Sequence, residues 1–156
     1  MKMSAKGRYA VMALADLAAQ ARPGPVTLYD IAERQDISLS YLEQLFAKLR
    51  RHDLVKSVRG PGGGYLLARN PSDTPIADIV MAVDEPAAST RCTPSQPLSC
   101  RNSEVRCLTH DLWEELGNQM YLYLRSVTLE DVIKHRILAT CGALPVDEAA
   151  AKTPAG

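Results

Sequence analysis

The sequence predicts a mostly α-helical fold with one small β-hairpin. Three observations carry this. Apolar residues recur at helical spacing in three segments before residue 53, β-branched residues precede a run of turn-forming residues at 60–64, and a long helical stripe occupies 108–127.

In segment 5–20, Ala10, Val11, Leu14, Leu17 and Ala18 share one helical face, and Pro23, Gly24 and Pro25 end the helix. Thr27 and Asp30 have capping-box spacing and open a second helix, TLYDIAER. The segment QDIS makes a turn. A third helix runs from about Leu39 to His52, and Ser40 and Glu43 are spaced as a second capping box. Segment 54–59 contains Val55 and Val58 and reads as a strand; Gly60-Pro61-Gly62-Gly63-Gly64 turns the chain, and Tyr65-Leu66-Leu67 returns as its partner. A fourth helix covers 75–84, with Pro75 at its start. Segment 85–106 is rich in Pro, Ser, Thr and Cys without periodicity and reads as a loop, long enough to imply a role. Leu108, Leu112, Leu116, Met120, Tyr123, Leu124 and Val127 then mark the long helix, and Thr128 with Asp131 starts a short one. After Gly142 the chain is rich in Ala and Pro and reads as a frayed tail.

The 156 residues are enough for one compact domain with an appended element, and at 46% hydrophobic residues a core can form. The net charge is zero but unevenly divided: residues 1–70 carry +5 and residues 71–156 carry −5. A basic half beside an acidic half fits an anionic partner for the first half. No apolar run reaches the roughly 18 residues of a membrane span, and no signal-peptide pattern opens the chain, so a cytoplasmic protein without a membrane partner is expected. In a reducing compartment, four cysteines point to metal or redox chemistry more than to disulfides.

Two helices, a turn, a third helix and a hairpin follow the layout of a winged helix-turn-helix. In the third helix Leu42, Leu45, Phe46 and Leu49 form the apolar face, while Ser40, Glu43, Gln44 and Lys48 lie opposite. That face can enter a major groove, where Gln pairs with adenine, Glu accepts from cytosine N4 and Ser is permissive. Ser40 could alternatively serve only as an N-cap. Lys56 and Arg59 flank a glycine turn with almost no side-chain bulk, and such a basic tip suits the minor groove. A phosphate-binding loop is excluded because no Gly-Lys-Ser/Thr follows the glycines. Lys2, Lys6 and Arg8 add positive charge that can meet phosphate or simply be solvated.

Cys92, Cys100, Cys107 and His110 form the pattern C-x7-C-x6-C-x2-H. Cys107 and His110 lie at i and i+3, on one face of the long helix's start. Thiolates bind iron–sulfur clusters, and a mixed Cys/His set is chemically reasonable. Zinc on a Cys3His set is the rival, although these spacers exceed the usual close cysteine pairs. A Cys107–His110 nucleophile pair would be the enzymatic reading, but no third orienting group is evident, and no enzyme is expected. Cys141 stands apart, His52 ends the third helix, and His135 has no evident partner.

The segments KGRYAVMALADLA, ISLSYLEQLFAKLR, LVKSVRGPGGGYLLAR and CLTHDLW strongly resemble the IscR-type family of iron–sulfur cluster regulators, whose wider membership includes NsrR, RirA and CymR. The resemblance runs from about Met1 to Ile133. It implies a homodimer built from a winged helix-turn-helix and a long dimerisation helix. The implied division is 1–84 for DNA binding, 85–107 as a cluster-binding loop, 108–136 for the dimerisation helix and the short helix after it, and 137–156 as a tail. It also implies a [2Fe-2S] cluster on Cys92, Cys100, Cys107 and His110, delivered by the cluster assembly machinery. Such regulators bind double-stranded DNA, repress cluster-assembly genes when loaded, and use a second class of sites when empty. Ser40, Gln44 and Arg59 match family DNA contacts, Gly60 adjoins them in the wing, and Glu43 matches a glutamate that separates the site classes. Nitric oxide sensing of the NsrR type is the near alternative. Those proteins use an N-terminal aspartate as ligand, where this chain has Arg8.

Overall fold

The computed structural model describes residues 4–20, 24–84 and 108–137. In chain order these residues form α1 (Ala5–Ala19), α2 (Leu28–Gln35), α3 (Leu39–Arg51), β1 (Val55–Val58), β2 (Gly64–Leu67), α4 (Ile76–Val83), α5 (His110–Ser126) and α6 (Leu129–Ile133), with a short 3-10 turn at Pro71–Asp73. The result is a mostly helical winged-helix fold, as the periodicities predict.

Three of the helices, α1, α2 and α6, begin where a side chain replaces a missing backbone partner. At α1 the Ser4 hydroxyl accepts from the Gly7 amide at 3.1 Å. At α2 the Thr27 hydroxyl accepts from the Asp30 amide at 3.1 Å, as its spacing foretells. The tight turn to α3 is made by Asp36, whose φ of 51° is left-handed and whose amide bonds back to the Ala32 carbonyl. The expected capping box of Ser40 and Glu43 does not form. The Ser38 carbonyl already accepts from the Tyr41 and Leu42 amides, each at 3.1 Å, so the helix is under way before Ser40. Ser38 holds the cap position, and Ser40 belongs to the helix surface.

One apolar core joins all the elements of the winged module. Ala10, Ala13 and Leu14 of α1, Ile31 of α2, Leu42, Phe46 and Leu49 of α3 and Ile79 and Val83 of α4 are sealed from solvent. Each buried Leu, Ile or Phe contributes roughly 1.5–3 kcal/mol over an exposed one. Leu129 of α6 is equally buried and enters the same core. Backbone bonds stitch this junction: Ile76 N–H donates to Val127 O and Leu129 N–H to Thr74 O, both at 2.9 Å.

An ionic knot with a buried carboxylate and a part-exposed guanidinium ties α1 to α2. Arg34 grips both Asp16 carboxylate oxygens from Nε at 3.1 Å, and its Nη2 reaches Oδ1 at 2.6 Å. Gln35 donates to Oδ2 at 2.7 Å and Gln20 to Oδ1 at 3.2 Å. Burial works against the charge on Asp16. The bonds from Arg34 and Gln35, the Arg34 charge and the Gln20 bond outweigh it and hold the carboxyl below its ordinary range.

The wing pairs Val55 with Leu67 through to Val58 with Gly64. A third short edge joins it, because Val26 and Tyr65 exchange backbone bonds of 3.0 and 2.8 Å. The Tyr65 ring meets Phe46 of α3 edge-on at 4.9 Å, so the hairpin stands directly against the third helix. The long helix α5 differs from the others in having no buried residue, and Leu112, Trp113, Leu122 and Tyr123 are exposed.

Candidate nucleic-acid interface and metal-ligand site

Burial of Leu42, Leu45, Phe46 and Leu49 on one side of α3 leaves Ser40, Glu43 and Gln44 exposed on the other. Ser40 lies three residues before Glu43 and four before Gln44, so the three form one patch on the first turns of the helix. This patch can meet base edges without disturbing the core. Lys48 extends the Gln44 row by one turn, but it is half-buried and its Nζ donates to the Val83 carbonyl at 3.0 Å.

Arg59 and Gly60 are exposed in the turn of the wing. Gly60 and Gly62 have φ of 102° and 72°, a region that glycine adopts without strain. At Gly63 a Cβ would lie 2.5 Å from the Val58 carbonyl, so the tip closes only without a side chain there. A narrow loop bearing one guanidinium results, the shape a minor groove admits.

One feature of this surface escaped the sequence reading. Tyr9 of α1 meets Tyr41 of α3 edge-on at 5.8 Å, and the Arg8 guanidinium carbon lies 5.8 Å from the centre of the Tyr9 ring. This brings the exposed cations Lys6 and Arg8 of α1 to the flank of α3. Lys2 lies outside the described residues. Nothing in the linear spacing pairs Tyr9 with Tyr41, since the crossing of α1 and α3 sets that contact.

Of the four metal-ligand candidates, His110 lies among the described residues; Cys92, Cys100 and Cys107 lie outside them, as does Cys141. His110 is the first residue of α5, with 15% of its side chain exposed and Nε2 3.5 Å from Glu114 Oε2. Ligand atoms of His110, Asp111 and Glu114 all lie within 4.8 Å of one another. A carboxylate beside a ligand histidine can fix the orientation of the ring, so Glu114 suits a supporting role. His110 is legible in the sequence from its spacing to Cys107, and Glu114 only from its i, i+4 spacing to His110. His52 caps α3, and His135 sits on left-handed backbone with φ of 51°.

An outward polar face on the third helix and a basic glycine wing beside it, on a winged-helix scaffold, define a DNA-binding transcription regulator. The comparisons specify which kind. A family model, Rrf2, described as iron-dependent transcriptional regulator, matches residues 3–135. The chain belongs to the Rrf2 family. It is 48% identical over 136 residues to the HTH-type transcriptional regulator IscR of Photorhabdus laumondii, covering 87% of this chain and 81% of that protein. The IscR of Pectobacterium atrosepticum is also 48% identical, with the same coverage. Among solved structures, T. potens IscR superposes with a TM-score of 0.70 at 40% identity, covering 87% of this chain and 88% of that one. CymR, the global cysteine regulator of B. subtilis, superposes with a TM-score of 0.69 at 32% identity, covering 86% and 98%. Among the described residues, no helix is long and apolar enough to cross a membrane.

Proposed function

We propose that this chain is a homodimeric, cytoplasmic regulator that carries a [2Fe-2S] cluster on Cys92, Cys100, Cys107 and His110 and chooses its DNA sites by cluster occupancy. Genes for iron–sulfur cluster assembly are its targets, the assembly machinery is its cluster donor, and catalysis has no part in its action. The observation that carries this reading is His110: a half-buried imidazole on the first turn of α5, beside a carboxylate and three residues after the last of three cysteines. This donor chemistry fits the group, since thiolates and one imidazole are established ligands of [2Fe-2S] centres. When bound, the cluster supplies a metal centre whose presence follows the supply of iron and sulfide. The imidazole replaces an anionic thiolate with a neutral ligand, which favours release. Glu114, 3.5 Å from the His110 Nε2, would help to orient the ring in a loaded site.

On the DNA side, Ser40, Glu43 and Gln44 face base edges in the major groove, Arg59 and Gly60 enter the minor groove, and Lys48 supports α3. The second copy covers the apolar surface of α5. A helix of 17 residues with no buried side chain gains little stability alone, and Leu112, Trp113 and Tyr123 would lose their exposure in such a pair.

The test is metal analysis of protein purified without oxygen. Visible absorbance with iron and acid-labile sulfide in equal amounts is expected, and Cys92→Ala and His110→Ala should lose it while keeping the helical circular dichroism. Zinc without sulfide would replace this reading with a structural site, for which Asp111 and Glu114 are further oxygen ligands near His110.

A further inference from the structure

Helix α4 is fastened at both ends. Its start is bonded to the junction of α5 and α6: Pro75 and Thr128 form a β-bridge, flanked by the bonds from Ile76 to Val127 and from Leu129 to Thr74. Its end is bonded to α3 and α1. Lys48 donates to Val83 O at 3.0 Å, and the next residue, Asp84, accepts from the Ser4 hydroxyl. The Val83 carbonyl is among the last four of α4, which have no partner within their own helix, and a cation suits that negative end. Gly7 permits the close approach, since a Cβ there would lie 3.1 Å from Asp84 Oδ2 and 3.3 Å from Val80. A second link runs through Arg69, which donates to Asp78 of α4 at 3.2 Å and to the His52 carbonyl at the end of α3 at 3.5 Å.

We propose that α4 is a strut joining the C-terminal helices to the DNA-reading helix, and that Lys48 is a positioning residue holding α3 to that strut. Lys48 sits on the same helical row as Gln44, where a lysine would ordinarily be assigned to DNA phosphate. Its ammonium instead meets the Val83 carbonyl at the end of α4. Lys48 therefore sets the angle at which Ser40, Glu43 and Gln44 meet the groove. Displacements of α5 and α6 reach α3 through α4 and this bond. The inference rests on α3 being the reading helix.

The two roles give different salt dependence. A phosphate contact releases counterions, and its loss makes the slope of log affinity against log salt shallower by about 0.9 per contact. A positioning bond carries no such term. The probes are a duplex selected by the wild-type protein from a random-sequence pool, and a scrambled duplex of the same length. Lys48→Met should weaken binding to the selected duplex about tenfold, the size of one charge-assisted hydrogen bond. Affinity for the scrambled duplex and the salt slope should stay as in wild type, and Lys48→Arg, which can still donate, should restore most of the loss. Equal weakening on both duplexes with a shallower slope would overturn the strut in favour of phosphate contact, and unchanged affinity would overturn both roles. Thermal melting reports whether Lys48→Met folds. If it does not, Ser4→Ala carries the test with every basic residue in place: selective loss of the chosen duplex is expected, and wild-type affinity would sink the proposal. A Gln44→Ala variant that binds the selected duplex as tightly as wild type would instead defeat the assignment of α3 as reading helix, and the strut with it.

Discussion

Asp16 shows how one residue can hold a reading head together. An unpaired carboxylate in the core would be costly, yet four donor groups from Arg34, Gln35 and Gln20 surround this one. Asp16→Ala should destabilise the fold by about 2 kcal/mol, less than a fully buried pair would lose, because Arg34 can turn to solvent. The folded carboxyl titrates below its unfolded value, so its contribution is complete above the ordinary carboxylate range and disappears as pH falls through the folded value. Urea melts of wild type should therefore weaken on acidification, and Asp16→Asn should flatten that acid limb. The sequence shows Asp16 only as a break in an apolar stripe. Its partner lies 18 residues away on another helix, and the packing of α1 against α2 brings them together.

The wing is the element where local chemistry decides most. Gly64 is trapped: a Cβ would stand 2.4 Å from the Val26 carbonyl. Gly64→Ala should push Val26 off the hairpin, cost about 2 kcal/mol by overpacking, and lower DNA affinity as Arg59 loses its support; thermal melts and duplex titration check this. The hairpin itself was legible, because a run of glycines between β-branched and aromatic residues has few other outcomes. The Val26 edge was not, since a one-residue bridge between Pro25 and Thr27 has no alternation to betray it. The start of α3 at Leu39 is where periodicity puts it, but its cap is not the one local spacing suggests. Ser40 and Glu43 have the right spacing for a cap, but Ser38 begins the helix first. The consequence is favourable for Ser40, whose hydroxyl is left on the outer face. The exposed polar face of α3 was thus visible in its apolar periodicity, while the inward bond of Lys48 depends on α4 and could not be read from α3 alone.

At the scale of the molecule, the largest uncovered apolar surface among the described residues is that of α5. Leu112 and Tyr123 are 60% and 54% exposed, and eleven residues apart they fall on one side of the helix. Leu112→Glu with Tyr123→Glu should shift the sedimenting species from the two-chain to the one-chain mass and sharply reduce affinity for a two-fold symmetric duplex. A variant that still sediments as a pair would place the self-contact elsewhere. The helical stripe of 108–127 announced this helix clearly, but it counted Leu116 and Leu124 with the others, and both of those are half-buried. Periodicity identifies an apolar face without saying which neighbour it meets.

Leu129 has a consequence that extends to how such a protein can vary. Although it follows the reading module by more than forty positions, its side chain plugs the cavity among that module's own helices. A chain ending at Asp84 would carry the whole winged module and still lack one side chain of its core. The head is thus not a detachable cassette: any graft onto a different tail must bring along the turn of α6, or supply another apolar stopper of the same size.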